Sequence, residues 1–315
     1  MRVIVHGGAG PDAGEPERRQ GVLDEAAATG AGATTPAAAV VDALAVLESS
    51  PVFNAGVGGA RQSDGVVRTD AGIMTDERAA GAACAMAGVE HAAAVARTVM
   101  EETPHVLLAG EHAVALAETF GIETGVDLLT DRTKERWAEL DPPRETDPRT
   151  RLAWLRERFG NAGAAGLDPG GTESDGTSDR TALDETAPSR ADHDTVGAVA
   201  TDGEDVAAAT STGGRWCALA GRVGDVPQIG SGFYAGPAGG ASATGAGEDI
   251  ARVTLSRRAV DHLECGRDPE DAATLAIEEF ADCTGSTAGI IVLDGDGAAG
   301  SAFNSEAMQT SVADQ

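Results

Sequence analysis

The chain has 315 residues, 42% hydrophobic and only 3% aromatic, with a formal charge of −28 and an isoelectric point near 4.4. That length allows one large domain whose core is built mainly from Ala, Val, Leu and Ile. So negative a surface repels phosphate backbones and anionic bilayers, which argues against nucleic acid and membrane as partners.

The acidity is spread along the chain, and Lys134 is the only lysine. The apolar content and several periodic segments argue against a disordered solvating chain. They fit a folded protein of a high-salt cytoplasm, where salt screens self-repulsion. The opening "MRVIVHGGAG" has too short an apolar run for a signal peptide, and no later run is long enough to span a bilayer, so a cytoplasmic location is expected. Cys84, Cys217, Cys265 and Cys283 are far apart and read as free thiols rather than a zinc site or a disulfide framework.

In chain order, "RVIVH" predicts a short buried strand stopped by "GGAG". Helices are predicted over 15–29 and 36–48. In the second, Thr35 can cap, Pro36 suits the first turn, and Val40, Val41, Leu44 and Leu47 share a face. A glycine-rich loop, "SSPVFNAGVGGARQSDG", precedes strands in "VVRTDAGIM" and "GAACAMA". Residues 89–121 predict two helices broken near Thr103–Pro104. From about Thr130 the character changes. "DPPRETDP" is a cluster of helix breakers, and "RTRLAWLRERF" is a short amphipathic helix with Leu152, Leu155 and Phe159 on one stripe. The remaining Gly/Ser/Thr-rich acidic tract predicts a flexible linker, so that 130–194 reads as linker overall.

Beyond the linker the pattern turns to β. "TVGAVAT" and "VAAATST" flank "DGED" as a hairpin. Strands follow around "QIGSGFYA" and "GGASAT", then helices over 248–265 and 269–281, then a closing hairpin in "TAGIIVLDGDGAAGSAFN". The order predicts an α+β fold, antiparallel sheets covered by helices, with no internal repeat.

Thr195 stands where the acidic tract meets the first strand of that hairpin. A free hydroxyl is a poor nucleophile without a base. Cutting the chain before Thr195 would place an α-amine, of pKa about 8, beside the hydroxyl. Threonine with its own terminal amine is a known nucleophile–base pair. A strand-edge threonine is the bland alternative. Arg222 and Asp225, three residues apart, read by themselves as a surface ion pair. Thr212 reads as a hairpin residue or a partner of Thr195. Asn54 reads as a turn residue or a neighbour of the site, and His193 as a linker residue beside the cut.

"HGGAG", "LESSPVFNAGVG", "TPHVLLAGEHA", "HDTVGAVA", "ATSTGG", "GRVGDVPQIGSGFYA" and "TGAGE" occur in the order of the N-terminal-nucleophile asparaginases. The chain resembles the plant-type L-asparaginase/isoaspartyl peptidase group from Val3 to Asn304, with a lapse over about 130–192. The resemblance implies a four-layer αββα sandwich forming one domain. It implies autocleavage between Asp194 and Thr195 into an α chain (1–194) and a β chain (195–315) that stay associated, as a dimer of αβ heterodimers. It also implies hydrolysis of asparagine and β-aspartyl dipeptides through a β-aspartyl–Thr195 ester, releasing L-aspartate.

By the same resemblance Thr212 hydrogen-bonds the nucleophile, and Thr244 with Gly245 supplies the oxyanion donors. Arg222 and Asp225 clamp the substrate, and Gly247 lines its pocket. No cofactor is implied for catalysis. A structural sodium ion is implied, held by the carbonyls of Leu47, Glu48, Ser50, Phe53, Ala55 and Val57. A glycosylasparaginase-like amidase and a non-catalytic amino-acid-binding relative are the alternatives.

Overall fold

The computed structural model describes residues 1–11, 15–143, 147–159 and 195–315. The chain runs β1 (Arg2–Gly10), α1 (Pro16–Ala31), α2 (Pro36–Glu48), β2 (Arg68–Thr75), β3 (Ala80–Ala87), α3 (Ala92–Glu102), β4 (Leu107–Ala109), α4 (Gly110–Thr119), α5 (Asp131–Ala138) and α6 (Pro148–Phe159). It continues with β5 (Val196–Thr201), β6 (Val206–Thr212), β7 (Phe233–Gly236), β8 (Gly239–Gly245), α7 (Gly247–Val253), α8 (Leu255–Glu264), α9 (Pro269–Thr284), β9 (Ala288–Asp294), β10 (Ala299–Phe303) and β11 (Ala307–Asp314).

A seven-stranded sheet of order β11-β1-β5-β6-β2-β3-β4 packs on a four-stranded sheet of order β10-β9-β8-β7. Helices α1–α4 cover the outer face of the first, and α8 and α9 cover the second. This is the expected αββα sandwich. Strand alternation builds it. Val3 and Val5 of β1, and Val196, Ala198 and Ala200 of β5, join the core under α1–α4. Ile4 and Val199, of opposite parity, enter the core between and beyond the sheets. Both faces of β5 are thus buried, which explains its nearly continuous apolar run.

Helix α2 forms as its sequence predicts. Thr35 Oγ1 accepts from Ala38 N at 3.3 Å, Pro36 opens the first turn, and Val40, Leu44 and Leu47 are fully buried. Such a cap contributes about 1 kcal/mol.

Five features depart from the sequence reading. Strand β1 is not stopped by "GGAG" but runs on to Gly10 past a register shift between His6 and Ala9. Strand β11, which pairs with β1 from Arg2↔Asp314 to Gly10↔Ala307, was not predicted, because its residues are half-exposed and carry little apolar signal. The three-residue β4 lies between the two predicted helices and pairs in parallel with β3. The single helix expected over 248–265 is two, because Thr254 adopts φ +54, a conformation a β-branched residue rarely takes. Helix α5 occupies part of the tract read as linker, whereas α6 is the short helix expected in "RTRLAWLRERF". Helix α5 is closed by a capping box between Thr130 and Thr133 and buries only Thr133, so no apolar stripe announced it. Residues 144–146 and 160–194 of that tract, with His193 and Asp194, lie outside the described residues.

Candidate active site

Thr195 immediately precedes β5, in the middle of the large sheet. The β5–β6 register, Val196↔Ser211, carries Thr195 opposite Thr212, and on the other side of β6 Thr212 is paired with Asp70 of β2. Cross-strand partners share a face, so Thr195, Thr212 and Asp70 form a row directed between the sheets. The Thr195 hydroxyl donates to Thr212 Oγ1 at 3.4 Å, and Thr212 Oγ1 also accepts from Gly214 N at 3.1 Å.

One cleft is lined by Thr195, Thr212, Gly214, Arg215, Arg222, Gly224, Asp225, Val226, Gly245 and Gly247. Six residues singled out from sequence therefore converge. Arg222 Nε donates to Glu248 Oε1 at 2.9 Å. Asp225 is buried, and its Oδ2 has no hydrogen-bond partner. An unpaired buried carboxylate oxygen is costly, and an ammonium entering the cleft can satisfy it. A Cβ on Gly247 would stand 2.5 Å from Asp225 Oδ1 and 2.8 Å from Arg222 Nη2, so only glycine leaves the pair accessible. Gly245 has φ +134, and a Cβ there would press within 2.6 Å of the Ala288 backbone; glycine alone fits both constraints.

Burial raises the Asp225 carboxyl to about 6, against the opposing charge of Arg222. Burial likewise raises Asp70 to about 7, while the hydrogen bond from Ala85 N and the Arg222 charge pull it down. Burial pushes Glu248 up as well, but the hydrogen bond and charge of Arg222 outweigh it and hold the carboxyl at about 2. Arg222 rises despite burial, because Glu248 hydrogen-bonds it and Glu248, Asp225 and Asp70 all attract it. The cleft is thus a guanidinium surrounded by carboxyl groups of different proton affinity.

Thr244 does not line the cleft. It is fully buried in β8, and its Oγ1 accepts from Ala9 N at 3.4 Å. "HGGAG" therefore touches β8 through a backbone N–H, one residue before the cleft-lining Gly245. Three contributors escaped the sequence reading. His6 is fully buried, with its Nε2 3.0 Å from Ser242 Oγ. Burial lowers it to about 3, against a hydrogen bond with the Thr195 backbone, so it is a neutral ring holding the Thr195 main chain. Asp70 accepts from Ala85 N at 2.7 Å, where β2 and β3 lose register. Arg215 stands at the cleft beside Glu248. No sequence signal marked Asp70, since only strand pairing brings it to Thr212.

Asn54, left open from sequence, is a bracket behind the site. Its Oδ1 accepts from Ala60 N at 2.9 Å, its Nδ2 donates to Gly214 O at 2.6 Å, and its carbonyl accepts from Gly213 N at 2.7 Å. Next to it is the 47–57 loop. Leu47 O, Glu48 O and Ser50 O accept from Ser50 N, Val57 N and Phe53 N at 3.2, 2.8 and 3.4 Å. Glu48 is buried, with Oε1 accepting from Ser211 Oγ at 2.6 Å and from Ala93 N at 3.0 Å. Its Oε2 faces His91 Nδ1 at 3.5 Å. Ser211 is the neighbour of Thr212, so this loop backs the sheet carrying Thr195 and Thr212 from the helical side. Carbonyl donors beside a buried acidic side chain suit a hard monovalent cation.

The family model described as asparaginase matches residues 1–315. The chain belongs to the asparaginase family. A plant-type L-asparaginase of Pyrococcus abyssi is 37% identical over 315 residues, covering 98% of this chain and 94% of that protein. Another, of Thermococcus kodakarensis, is 38% identical over 315 residues, covering 97% and 94%. An isoaspartyl peptidase/L-asparaginase of Danio rerio is 34% identical over 325 residues, covering 99% and 92%. The strand pair carrying Thr195 and Thr212 and the loop carrying Arg222 and Asp225 both fall inside the region matched to the asparaginase family.

Proposed function

We propose that this protein is an amidohydrolase that cleaves L-asparagine and β-aspartyl dipeptides, using Thr195 as a nucleophile exposed by autocleavage. The observation that carries the reading is the convergence of Thr195, Thr212, Arg222 and Asp225 on one cleft. In maturation, Thr195 Oγ1 attacks the Asp194 carbonyl, the acyl group moves from nitrogen to oxygen, and water cleaves the ester, leaving a free Thr195 amine. In turnover that amine takes the hydroxyl proton, and the alkoxide attacks the β-carbonyl of the substrate. Thr212 orients the hydroxyl, and the backbone N–H of Gly245, on the cleft wall, stabilises the oxyanion. The Thr195 ester is then hydrolysed to release L-aspartate. Arg222 takes the substrate α-carboxylate and Asp225 its α-ammonium.

A sodium ion held by the carbonyls of Leu47, Glu48, Ser50, Phe53, Ala55 and Val57 would stiffen the loop behind Ser211 and Thr212; it enters no chemical step. Assembly as a dimer of αβ heterodimers belongs to the same reading. So does a high-salt cytoplasmic setting, supported by the acidic composition and by four free cysteines.

The test combines intact mass, end-group sequencing and hydrolysis assays. Two chains, the second beginning at Thr195, with release of aspartate from asparagine and β-aspartyl dipeptides, are expected. An active single chain would exclude the mechanism. Turnover of glycosylated asparagine alone would point to a glycosylasparaginase-like amidase instead.

The buried Asp225 gives a pH signature. Below about pH 6 its carboxyl is protonated and offers no anion to the substrate ammonium, so kcat/KM should fall on acidification, mainly through KM. Asp225→Asn should lower kcat/KM throughout and lose this limb, keeping only the limb set by the Thr195 amine. Superimposable profile shapes for the two proteins would rule the role out.

A further inference from the structure

Arg215 follows the Gly213–Gly214 turn at the end of β6, three residues past Thr212. Its neighbours pin it. Trp216 is buried and meets Trp137 of α5 edge-on, with ring centroids 6.0 Å apart. The Arg136 guanidinium lies 4.3 Å over the Trp216 ring, and Cys217 N donates to Arg61 O at 2.8 Å. The backbone is thereby fixed while the Arg215 side chain remains 38% exposed on the cleft wall. Its Nη1 is 3.8 Å from Glu248 Oε2, beyond hydrogen-bond length, whereas Glu248 Oε1 is committed to Arg222 at 2.9 Å. Two guanidiniums thus share one carboxylate. Arg222 is held deep in the cleft against Glu248, Asp225 and Asp70, and Arg215 has the weaker share.

The aspartyl half of the substrate needs only one guanidinium, and Arg222 with Asp225 already matches its two charges. What remains is the leaving half. Asparagine loses ammonia, which offers nothing to a cation. A β-aspartyl dipeptide loses an amino acid whose α-carboxylate lies one carbon beyond the scissile nitrogen. That carboxylate must enter a cleft already rich in acidic groups, and a guanidinium on the wall beside the nucleophile pair is what offsets the repulsion and binds it in a fork.

We propose that Arg215 is a specificity-determining residue that binds the α-carboxylate of the leaving amino acid, so that dipeptides with a free carboxylate next to the scissile bond are the favoured substrate class. The proposal rests on the amidohydrolase reading above.

The test compares β-aspartyl-leucine with β-aspartyl-leucine amide, which differ only in that carboxylate, with L-asparagine as a third substrate. Mature wild-type enzyme should show kcat/KM at least about tenfold higher for the free acid than for the amide, equivalent to about 1.4 kcal/mol. Arg215→Gln should bring the ratio close to one, and Arg215→Lys should restore part of it. The wild-type ratio requires no variant, so a folding defect cannot mask the answer. A wild-type ratio near one, or an unchanged ratio in Arg215→Gln, would overturn the assignment while leaving the hydrolase reading intact. Failure of wild-type enzyme on all three substrates would overturn that reading and the proposal with it.

Discussion

Thr195→Ala is expected to remain a single uncleaved chain and to lose at least about 10⁴-fold in kcat toward asparagine and β-aspartyl dipeptides. Removing the hydroxyl removes the attacking atom of both maturation and turnover, and an uncut chain also lacks the amine that serves as base. The fold should survive. Thr195 gives up one long hydrogen bond, to Thr212 at 3.4 Å, worth about 1 kcal/mol, and β5 stays paired with β1 and β6. The checks are a denaturing gel, a thermal melt and single-turnover kinetics. Thr195→Ser keeps the hydroxyl and should keep measurable cleavage and activity. An alanine variant that is cut and active at the wild-type level would exclude Thr195 as nucleophile.

Arg222→Ala should raise KM sharply and lower kcat/KM by about 10²- to 10³-fold, with cleavage before Thr195 unaffected. Two losses combine. The substrate α-carboxylate loses its fork, and Glu248 loses the donor that holds its carboxyl at about 2. Glu248 is 46% exposed, so breaking this ion pair costs at most about 1 kcal/mol, and thermal stability should fall only slightly. Lysine should rescue poorly. Arg222 gives Nε to Glu248 while its Nη atoms lie beside Gly224 and Gly247 at the cleft, and one ammonium cannot serve both directions. The gel separates this variant from Thr195→Ala, as two chains with poor substrate binding rather than one chain with no chemistry. Unchanged KM in Arg222→Ala would dismiss the clamp.

Much of the sandwich was legible because local rules and tertiary demands agree. The cap at Thr35, the short β-prone runs of β5, β6 and β9, and the "DGED" turn all point the same way in isolation and in the fold. The site was legible where residues lie close in sequence, as Arg222 and Asp225 do, or where a motif order made the family recognisable. Asp70, His6 and Arg215 were not. Asp70 reaches Thr212 only through antiparallel register. His6 looks like strand-end punctuation until Ser242 of the opposite sheet arrives. Arg215 gains meaning only when Glu248, 33 positions on, is brought to the same cleft by β8 and α7.

The sequence alone determined the chemistry on offer, a threonine poised at a potential new terminus, an Arg–Asp pair in a glycine-rich turn, and amphipathic segments enough for two covered sheets. These are properties of composition, spacing and local backbone preference. Only the tertiary structure decided that β11 returns to close the edge beside β1, that α5 packs over the Arg215 loop, and that the carboxyl groups around Arg222 differ in proton affinity. Those outcomes depend on long-range strand pairing and on the exclusion of water, and neither is encoded within reach of any local window.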